Sequence, residues 1–507
     1  MSARRAALDF QWRRFKGFLK QFGKSKRAII GIVVLVFYVG FALVAPFVTP
    51  YDPLYSNFLA GEFAKPTWLS GLPGGSSLSQ NMQLFSTPGF SSPSSLQDQG
   101  WNVTQSPAGA FVVHYNKTQS AALPNSTLAN TGSEEIDYSR TAGSPAPGVA
   151  IITISKSFVW PYSGSPWRFA GSLELLMSEL QGVNAVKGDV FISSLGLPLP
   201  IYNVTLDRSL FGEAISPGFS LDSHSSNVKQ LYTPSDPAQY IFLGKGAYAY
   251  GVQFTVPDDN QAVSVGVKLF LTDLNLRLYG TSFGLLGTDQ YGRDIFSQLA
   301  WGTRVSLLVG LVASVVAVAI GLAVGLVAGY LGRVVDEVLM RSTDLLLVLP
   351  GLPLLIILAA LLGPSIWNVI AILALLGWPG FARIIRAQVL SIKERSFIEA
   401  SKAAGSGVSH VITKHVLPNV MGLTYVNLAL SVPTAIVTEA SLAFLGLRDP
   451  NVISWGGMLN DVQGTGNVAS WWWVLPPGLS IALLSLSFIL LGYALDEILN
   501  PRLRMRR

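Results

Sequence analysis

Three groups of residues in this sequence have the types and spacings that chemistry needs. The acids Glu134-Glu135 and Asp258-Asp259, with His114 and His224 in the same stretch, offer general acid–base groups. Adjacent side chains on a strand point to opposite faces, so neighbouring acids do not make an acid–base pair, and solvated turns account for them. No Gly-x-Ser-x-Gly or His-x-x-x-His spacing accompanies them to carry a nucleophile or a zinc ion. Gly17 and Gly23-Lys24-Ser25 approach a phosphate-binding loop, but the gap is one residue too long and no strand precedes it. The absence of cysteine removes thiolate chemistry and disulfides. No catalytic residue, metal site or bound cofactor is expected in this chain, which reads as a non-enzyme.

The second group is a polar island between apolar segments. Residues 399–419 read EASKAAGSGVSHVITKHVLPN. Glu399, Ala400, Lys402, Ala403 and Ala404 favour a helix, and Gly405 supplies a stop where a left-handed residue is tolerated. A second short helix fits residues 408–416, and Pro418 forbids its continuation. A helix, a tight glycine turn and a helix are expected on the water side of a membrane. The third group lies within apolar segments: Glu439, an ionisable residue near a span's end, and Trp378-Pro379-Gly380 and Pro433, which predict broken helices beside a translocation path or outer gate.

The elements that must position these groups follow from composition. The chain has 507 residues, 50% hydrophobic and 13% charged, too apolar for an ordinary soluble protein. Residues 51–283 hold 11 Lys and Arg against 16 Asp and Glu, net −5, while the remainder holds 24 against 13, net +11. The two parts are expected to face different compartments. Residues 1–27 carry nine basic side chains against one acid, Asp9, and abut an apolar run at 28–48, which places the N-terminus in the cytoplasm and makes nucleic-acid binding unnecessary. The apolar runs at 28–48, 305–331, 345–363, 366–388, 421–445 and 474–495 predict six spans. Alternation puts 332–344, 390–420 and the basic tail 501–507 in the cytoplasm. Gly310, Gly321, Gly325 and Gly329 give one helix a small face for close packing. Trp471-Trp472-Trp473 belongs at a membrane interface.

Residues 51–283 form an inserted extracellular domain, loop-heavy to about residue 148. Runs at 149–159, 189–194, 240–242, 248–256 and 262–278 predict strands of a β-sandwich. Asn102, Asn116, Asn125 and Asn203 each begin an Asn-x-Thr glycosylation triplet. A glycosylated ectodomain without cysteine fits an archaeal cell surface.

The island resembles the coupling segment of the permease subunits of binding-protein-dependent ABC importers: Glu399, Ala400, Gly405, Leu417 and Pro418 match, while Ser401 and His415 depart from the general pattern. The run Lys414-His415-Val416-Leu417-Pro418-Asn419, the lead-in Gly287-Thr288-Asp289-Gln290-Tyr291-Gly292-Arg293-Asp294, the stretch 438–447 and Ser454-Trp455-Gly456-Gly457-Met458-Leu459 resemble the dipeptide and oligopeptide branch. The resemblance covers 28–50 and 284–507. It implies an α-helical polytopic membrane protein of the type I ABC importer permease fold with the β domain inserted after its first helix. The implied layout is a cytoplasmic N-terminus (1–27), a first span (28–50), the insert (51–283), a permease core (284–500) with coupling loop 390–420, and the tail (501–507). It implies partners: a second homologous permease, two ATPase subunits that bind ATP and Mg, and an extracellular solute-binding protein. Glu399, Ala400, Ser401, Gly405, His415, Leu417 and Pro418 would then couple ATP-driven closure to alternating access. Di- and oligopeptides are the cargo it implies, with oligosaccharides as the alternative; a membrane-anchored surface enzyme or adhesin that uses the insert is the lesser alternative.

Overall fold

The computed structural model describes residues 22–84, 95–123 and 132–499, and the chain separates into two compact units: Asn57–Arg293, and the segments that flank it. The flanking unit is helical. Its elements are α1 (Lys26–Val48), α2 (Ile295–Leu331), α3 (Arg333–Val348), α4 (Gly351–Leu362), α5 (Ile366–Lys393), α6 (Ser396–Ala403), α7 (Val408–Val411), α8 (Leu417–Phe444), α9 (Trp455–Thr465) and α10 (Trp471–Leu499). Among the described residues five helices are long and apolar enough to cross a membrane: α1, α2, α5, the continuous run Val408–Phe444, and α10.

The run expected as one span at 345–363 is divided. Residues 345–348 finish α3, which carries Asp336, Glu337, Arg341 and Asp344; the chain then bends by 90° at Leu349-Pro350 into the apolar α4. Proline disfavours a helical residue before it, so α3 ends there. Prolines do not break the other helices: α5 runs through Pro379 and α8 through Pro433, contrary to the expected interruptions. Both rings are buried, and both helices continue past them.

The small face of α2 is used for close approach. A β-carbon on Gly321 would lie 2.8 Å from the Trp378 carbonyl oxygen, on Gly325 2.6 Å from that of Ala382, and on Gly329 2.8 Å from Val389 Cβ, all on α5. On Gly310 it would lie 2.5 Å from Ile436 of α8. Helix backbones can approach this closely only where side chains are missing. Of the tryptophan triplet, Trp473 is fully buried and Trp472 nearly so, leaving Trp471 alone in the exposed position expected of an interfacial indole.

The unit Asn57–Arg293 is mainly β. Its strands are β1 (Met82–Gln83), β2 (Asn102–Ser106), β3 (Phe111–Asn116), β4 (Ser133–Arg140), β5 (Gly148–Trp160), β6 (Arg168–Gln181), β7 (Ala185–Ser194), β8 (Leu197–Asp207), β9 (Ala214–Ile215), β10 (Gly246–Asp258) and β11 (Val265–Tyr279). They form two antiparallel sheets, ordered β3-β4-β11-β6-β9 with β1 on β11, and β2-β5-β10-β7-β8. Alternate residues of both sheets, such as Ile152 and Ile154, Val252 and Phe254, Leu173 and Leu175, and Leu274 and Leu276, belong to one buried cluster. The stretch before residue 148, expected to be loop-heavy, contains β2, β3 and β4. Residues 240–242, expected as a strand, lie at the end of a short helix, Pro237–Ile241. There Asp236 accepts from the Gln239 N–H (3.1 Å), and Pro237 occupies the first turn.

This unit begins and ends later than the expected 51–283, because residues 284–293 fold back onto 58–67. Phe58 and Leu59 N–H donate to the carbonyls of Tyr291 and Gly292 (2.8 and 2.9 Å), and Thr67 N–H to that of Gly284 (3.0 Å). Thr288 Oγ1 donates to the Gly61 carbonyl (2.6 Å) and accepts from Ala64 N–H (2.9 Å). Asp289, fully buried, accepts from the N–H groups of Tyr291 and Arg293 and from Arg293 Nε (2.8, 2.9 and 2.6 Å). The lead-in block is thus the clasp that closes the β unit, and its last residue, Asp294, caps α2 by accepting from Ser297 N–H (2.9 Å).

Two expectations follow. Gly325→Leu should destabilise the helical unit by about 3 kcal/mol through overpacking against α5, while Gly40→Ala, with nothing near its β-carbon position, leaves the unfolding midpoint of detergent-solubilised protein unchanged. In the β unit, Arg140 Nε and Nη2 donate to buried Asp258 (2.6 and 2.7 Å), and these bonds hold the carboxyl below its usual range although burial acts the other way. A depressed carboxyl contributes stability above its unfolded pKa of about 3.9 and loses it as pH falls through the folded value. The protection factors of β4 and β10 amides in the full chain, measured against intrinsic exchange at each pH, should therefore fall below about pH 4, and Asp258→Asn should lower them at neutral pH and flatten that acid response.

Candidate coupling and translocation site

α6 carries Glu399 and Ala400 exposed and Ser401 half-buried. Glu399 lies in the first turn, where the helix dipole favours an acid. The helix closes in a Schellman turn: Gly405 N–H donates to the Lys402 carbonyl (2.9 Å), Ser406 N–H to that of Ser401 (3.1 Å), and Gly405 has φ +83°. Nothing lies within 4 Å of the place a Gly405 β-carbon would take. Glycine is needed here for the backbone angle and not for room within this chain.

The second helix does not stop at Pro418. Residues 412–416 form a π-turn that joins α7 to α8, and Pro418 takes the first turn of α8. The wider turn ahead of the proline relieves its clash with the preceding carbonyls, and Asn419 Nδ2 donates to the His415 carbonyl (2.7 Å). The His415 ring sits half-buried, 6.3 Å from Phe397 and 5.9 Å from His410, while Leu417 is half-buried and Pro418 exposed. The inner face of this hairpin, Ile398, Val411, Val416 and Val420, is buried in one cluster with Tyr330 of α2 and Ile385 and Val389 of α5. Its outer face exposes two apolar side chains, Phe397 (40%) and Val408 (49%). Pattern reading missed a neighbouring feature: Arg386 of α5 grips Asp336 of α3 through two 2.6 Å bonds, and Arg383 pairs with Asp344 one turn on. The i, i+3 spacing of these arginines was its only trace in the sequence.

Between α2, α4, α5 and α8 lies a cavity of about 510 Å³. Trp378 and Pro433 do not line it; both are buried in helix packing one step round from Gly377, Gly380 and Thr434, which do. Glu439 is nearly fully buried and lines a separate small cavity with Ser454, Arg448 and Asp449. Its Oε2 has no hydrogen-bond partner among the described residues, and Arg448 pairs instead with Asp461 (2.6 Å). The block from Ser454 explains this packing. Ser454 caps α9, a β-carbon on Gly456 would lie 2.5 Å from the Ala440 backbone, and Trp455 Nε1 donates to the Leu299 carbonyl (3.1 Å).

In the β unit, Asn102 and Asn203 are exposed on the edge strands β2 and β8. Asn116 Nδ2 is engaged with Glu135 (2.7 Å), and Asn125 lies outside the described residues. His114, Glu135 and Asp137 come together, but Lys268 Nζ lies 2.8 Å from Glu135 and 3.5 Å from Asp137 and fills the place a cation would take. His224 stacks edge-on against Trp167, 4.5 Å away.

Comparison with known proteins bears on this arrangement. Residues 321–505 match the family described as binding-protein-dependent transport system inner membrane component, and residues 11–66 match the N-terminal transmembrane domain of oligopeptide transport permease C. The dipeptide transport system permease protein DppC of Bacillus subtilis is 42% identical over 47% of this chain and 74% of its own. The oligopeptide transport system permease protein OppC of the same organism is 37% identical over 43% and 72%, and DppC of Haemophilus influenzae 36% over 43% and 75%. A solved structure of carbohydrate-binding modules from the β-sandwich superfamily covers 43% of this chain and 63% of its own at TM-score 0.22 and 8% identity, too distant to inform fold or ligand. With its apolar helices and this shared sequence, the chain belongs to the family of binding-protein-dependent transport system inner membrane components.

Proposed function

We propose that the chain is the membrane-spanning subunit of an ATP-driven importer of di- and oligopeptides. The observation that carries this reading is the hairpin of α6 and α7: polar and apolar side chains exposed on one face, and on the other a core shared with α2 and α5 and continuous with α8. A push on the exposed face reaches, through buried contacts alone, the helices that line the cavity. Glu399, Ala400, Ser401, Gly405, His415, Leu417 and Pro418 form the surface on which a partner ATPase acts. ATP and Mg belong to two such partners, and this chain performs no catalysis. A second homologous permease completes the path, and a solute-binding protein delivers cargo from outside.

Relatives named as dipeptide and oligopeptide transport permeases support peptides as cargo. No feature of the site favours oligosaccharides, the other cargo the resemblance allowed. In this reading the bent pair of α3 and α4 counts as one span, giving six, with both termini cytoplasmic and the β unit extracellular. The shared core of its two sheets supports a β-sandwich. Glu439, buried beside Ser454, serves the outer end of the path by fixing α8 against α9, and Asn102 and Asn203 are the sequons placed for glycosylation.

In proteoliposomes holding the whole assembly, Gly405→Val should cut peptide uptake at least about tenfold, since the left-handed angle costs a β-branched residue about 1–2 kcal/mol and displaces the docking face. Gly405→Asn should retain most activity, because asparagine tolerates that angle. Glu399→Lys should uncouple ATP hydrolysis from uptake while leaving the protein inserted. Wild-type uptake by both Gly405→Val and Glu399→Lys would remove the coupling role from this hairpin.

A further inference from the structure

The cavity between α2, α4, α5 and α8 has a polar side that the coupling argument does not use. Asn427, Ser431, Thr434 and Thr438 all line it, spaced four, three and four residues apart, so they form a single stripe along α8. Val432 and Ile436, interleaved with this stripe, are apolar and buried, and the two other buried polar residues of α8, Thr424 and Glu439, lie outside this cavity. Across the cavity Ser314 of α2 is 2% exposed, and its Oγ has no hydrogen-bond partner among the described residues. The opposing wall is Leu355, Leu373, Leu376, Phe381 and Ile384, and no lining residue carries a charge.

Hydroxyls in a membrane helix often bond only to their own backbone. Two of these do: Thr438 Oγ1 donates to the Thr434 carbonyl (2.7 Å) and Ser431 Oγ to that of Leu428 (2.9 Å). Each such hydroxyl has spent its proton and turns acceptor lone pairs outward. Asn427 offers both a donor and an acceptor. A buried hydroxyl left without a partner, like that of Ser314, carries a desolvation cost that an incoming donor or acceptor removes. A peptide main chain is an alternation of N–H donors and C=O acceptors along an extended line, and strands repeat every two residues at about 6.6–6.8 Å. The stripe presents polar groups about every 5–6 Å along one helix face, against an apolar wall that takes side chains of any shape.

We propose that this stripe, with Ser314, is the part of the translocation path that holds the cargo's main chain, by uncharged hydrogen bonds and without reading side-chain charge. The inference rests on the peptide-importer reading and deepens it. An uncharged path neither traps a cationic peptide nor repels an anionic one, so one conduit serves cargo of many sequences.

The test uses the full assembly in proteoliposomes, at saturating loaded binding protein, with three labelled tripeptides whose central residue is neutral, lysine or glutamate. The paired substitution Asn427→Leu and Thr434→Val, the second nearly isosteric, should lower uptake of all three by about tenfold, the loss of two hydrogen bonds. Stimulation of ATP hydrolysis by loaded binding protein should remain, as should function in Ser441→Ala, an α8 hydroxyl outside the cavity. In the wild type the three tripeptides should differ by less than about threefold. A paired variant that transports at the wild-type rate, or one whose loss depends on cargo charge, overturns the inference while leaving the importer reading intact. A wild-type assembly that hydrolyses ATP yet takes up no peptide overturns the peptide reading, and this inference with it.

Discussion

The helical unit depends on the backbone contact between α2 and α5. At Gly321, Gly325 and Gly329 the two helices approach so closely that a single β-carbon would stand 2.6–2.8 Å from atoms of α5. The glycines contribute no side chain to this seam, so the α2 backbone packs directly against α5. The cluster under the coupling hairpin sits at the same end of this pair: Tyr330 follows Gly329 on α2, and Val389 is both the residue that Gly329 meets and a member of that cluster. The hairpin, the glycine seam and the cavity wall on α5 are therefore packed as one continuous block. Two arginine–aspartate pairs from α5 to α3 add a half-exposed clasp beside it.

The β unit obeys a different constraint. Its chain ends are 57 and 293, and the segments just inside them pair with each other, with Thr288 joined to Ala64 across 224 residues of sequence. The GTD-x-x-GRD block serves both units by closing this tie and then capping α2 at Asp294. Both carboxylate oxygens of buried Asp289 are met from within four residues, Oδ1 by the N–H groups of Tyr291 and Arg293 and Oδ2 by Arg293 Nε.

What could be read from the sequence was whatever local chemistry dictates. Gly405 was legible because a left-handed stop after a run of helix formers leaves few other choices, and the small face of α2 because glycines recur at helical spacing. Non-local pairing was not legible. β6 contains Leu173-Glu174-Leu175-Leu176-Met177, a run of good helix formers, yet thirteen residue pairs with β11 hold it extended. Prolines misled in the opposite direction: Pro379 and Pro433 suggested broken helices, but both helices continue past them with the rings buried, and Pro418 is accommodated by a π-turn that no residue pattern announces. The polar stripe of α8 was missed for a related reason. Isolated serines and threonines in an apolar helix usually bond to their own backbone, and although spacing puts Asn427 and Thr434 on one face, only the structure shows that this face lines a cavity.

The most direct measurement of the central claim is site-specific photocrosslinking from Phe397 and Val408, the two apolar side chains exposed on the coupling hairpin. The probes are placed one at a time in the assembled transporter, with and without ATP. The account predicts adducts to the ATPase subunits at both positions, with a yield that changes between the two nucleotide conditions. Adducts to lipid alone, or to the solute-binding protein, would contradict it.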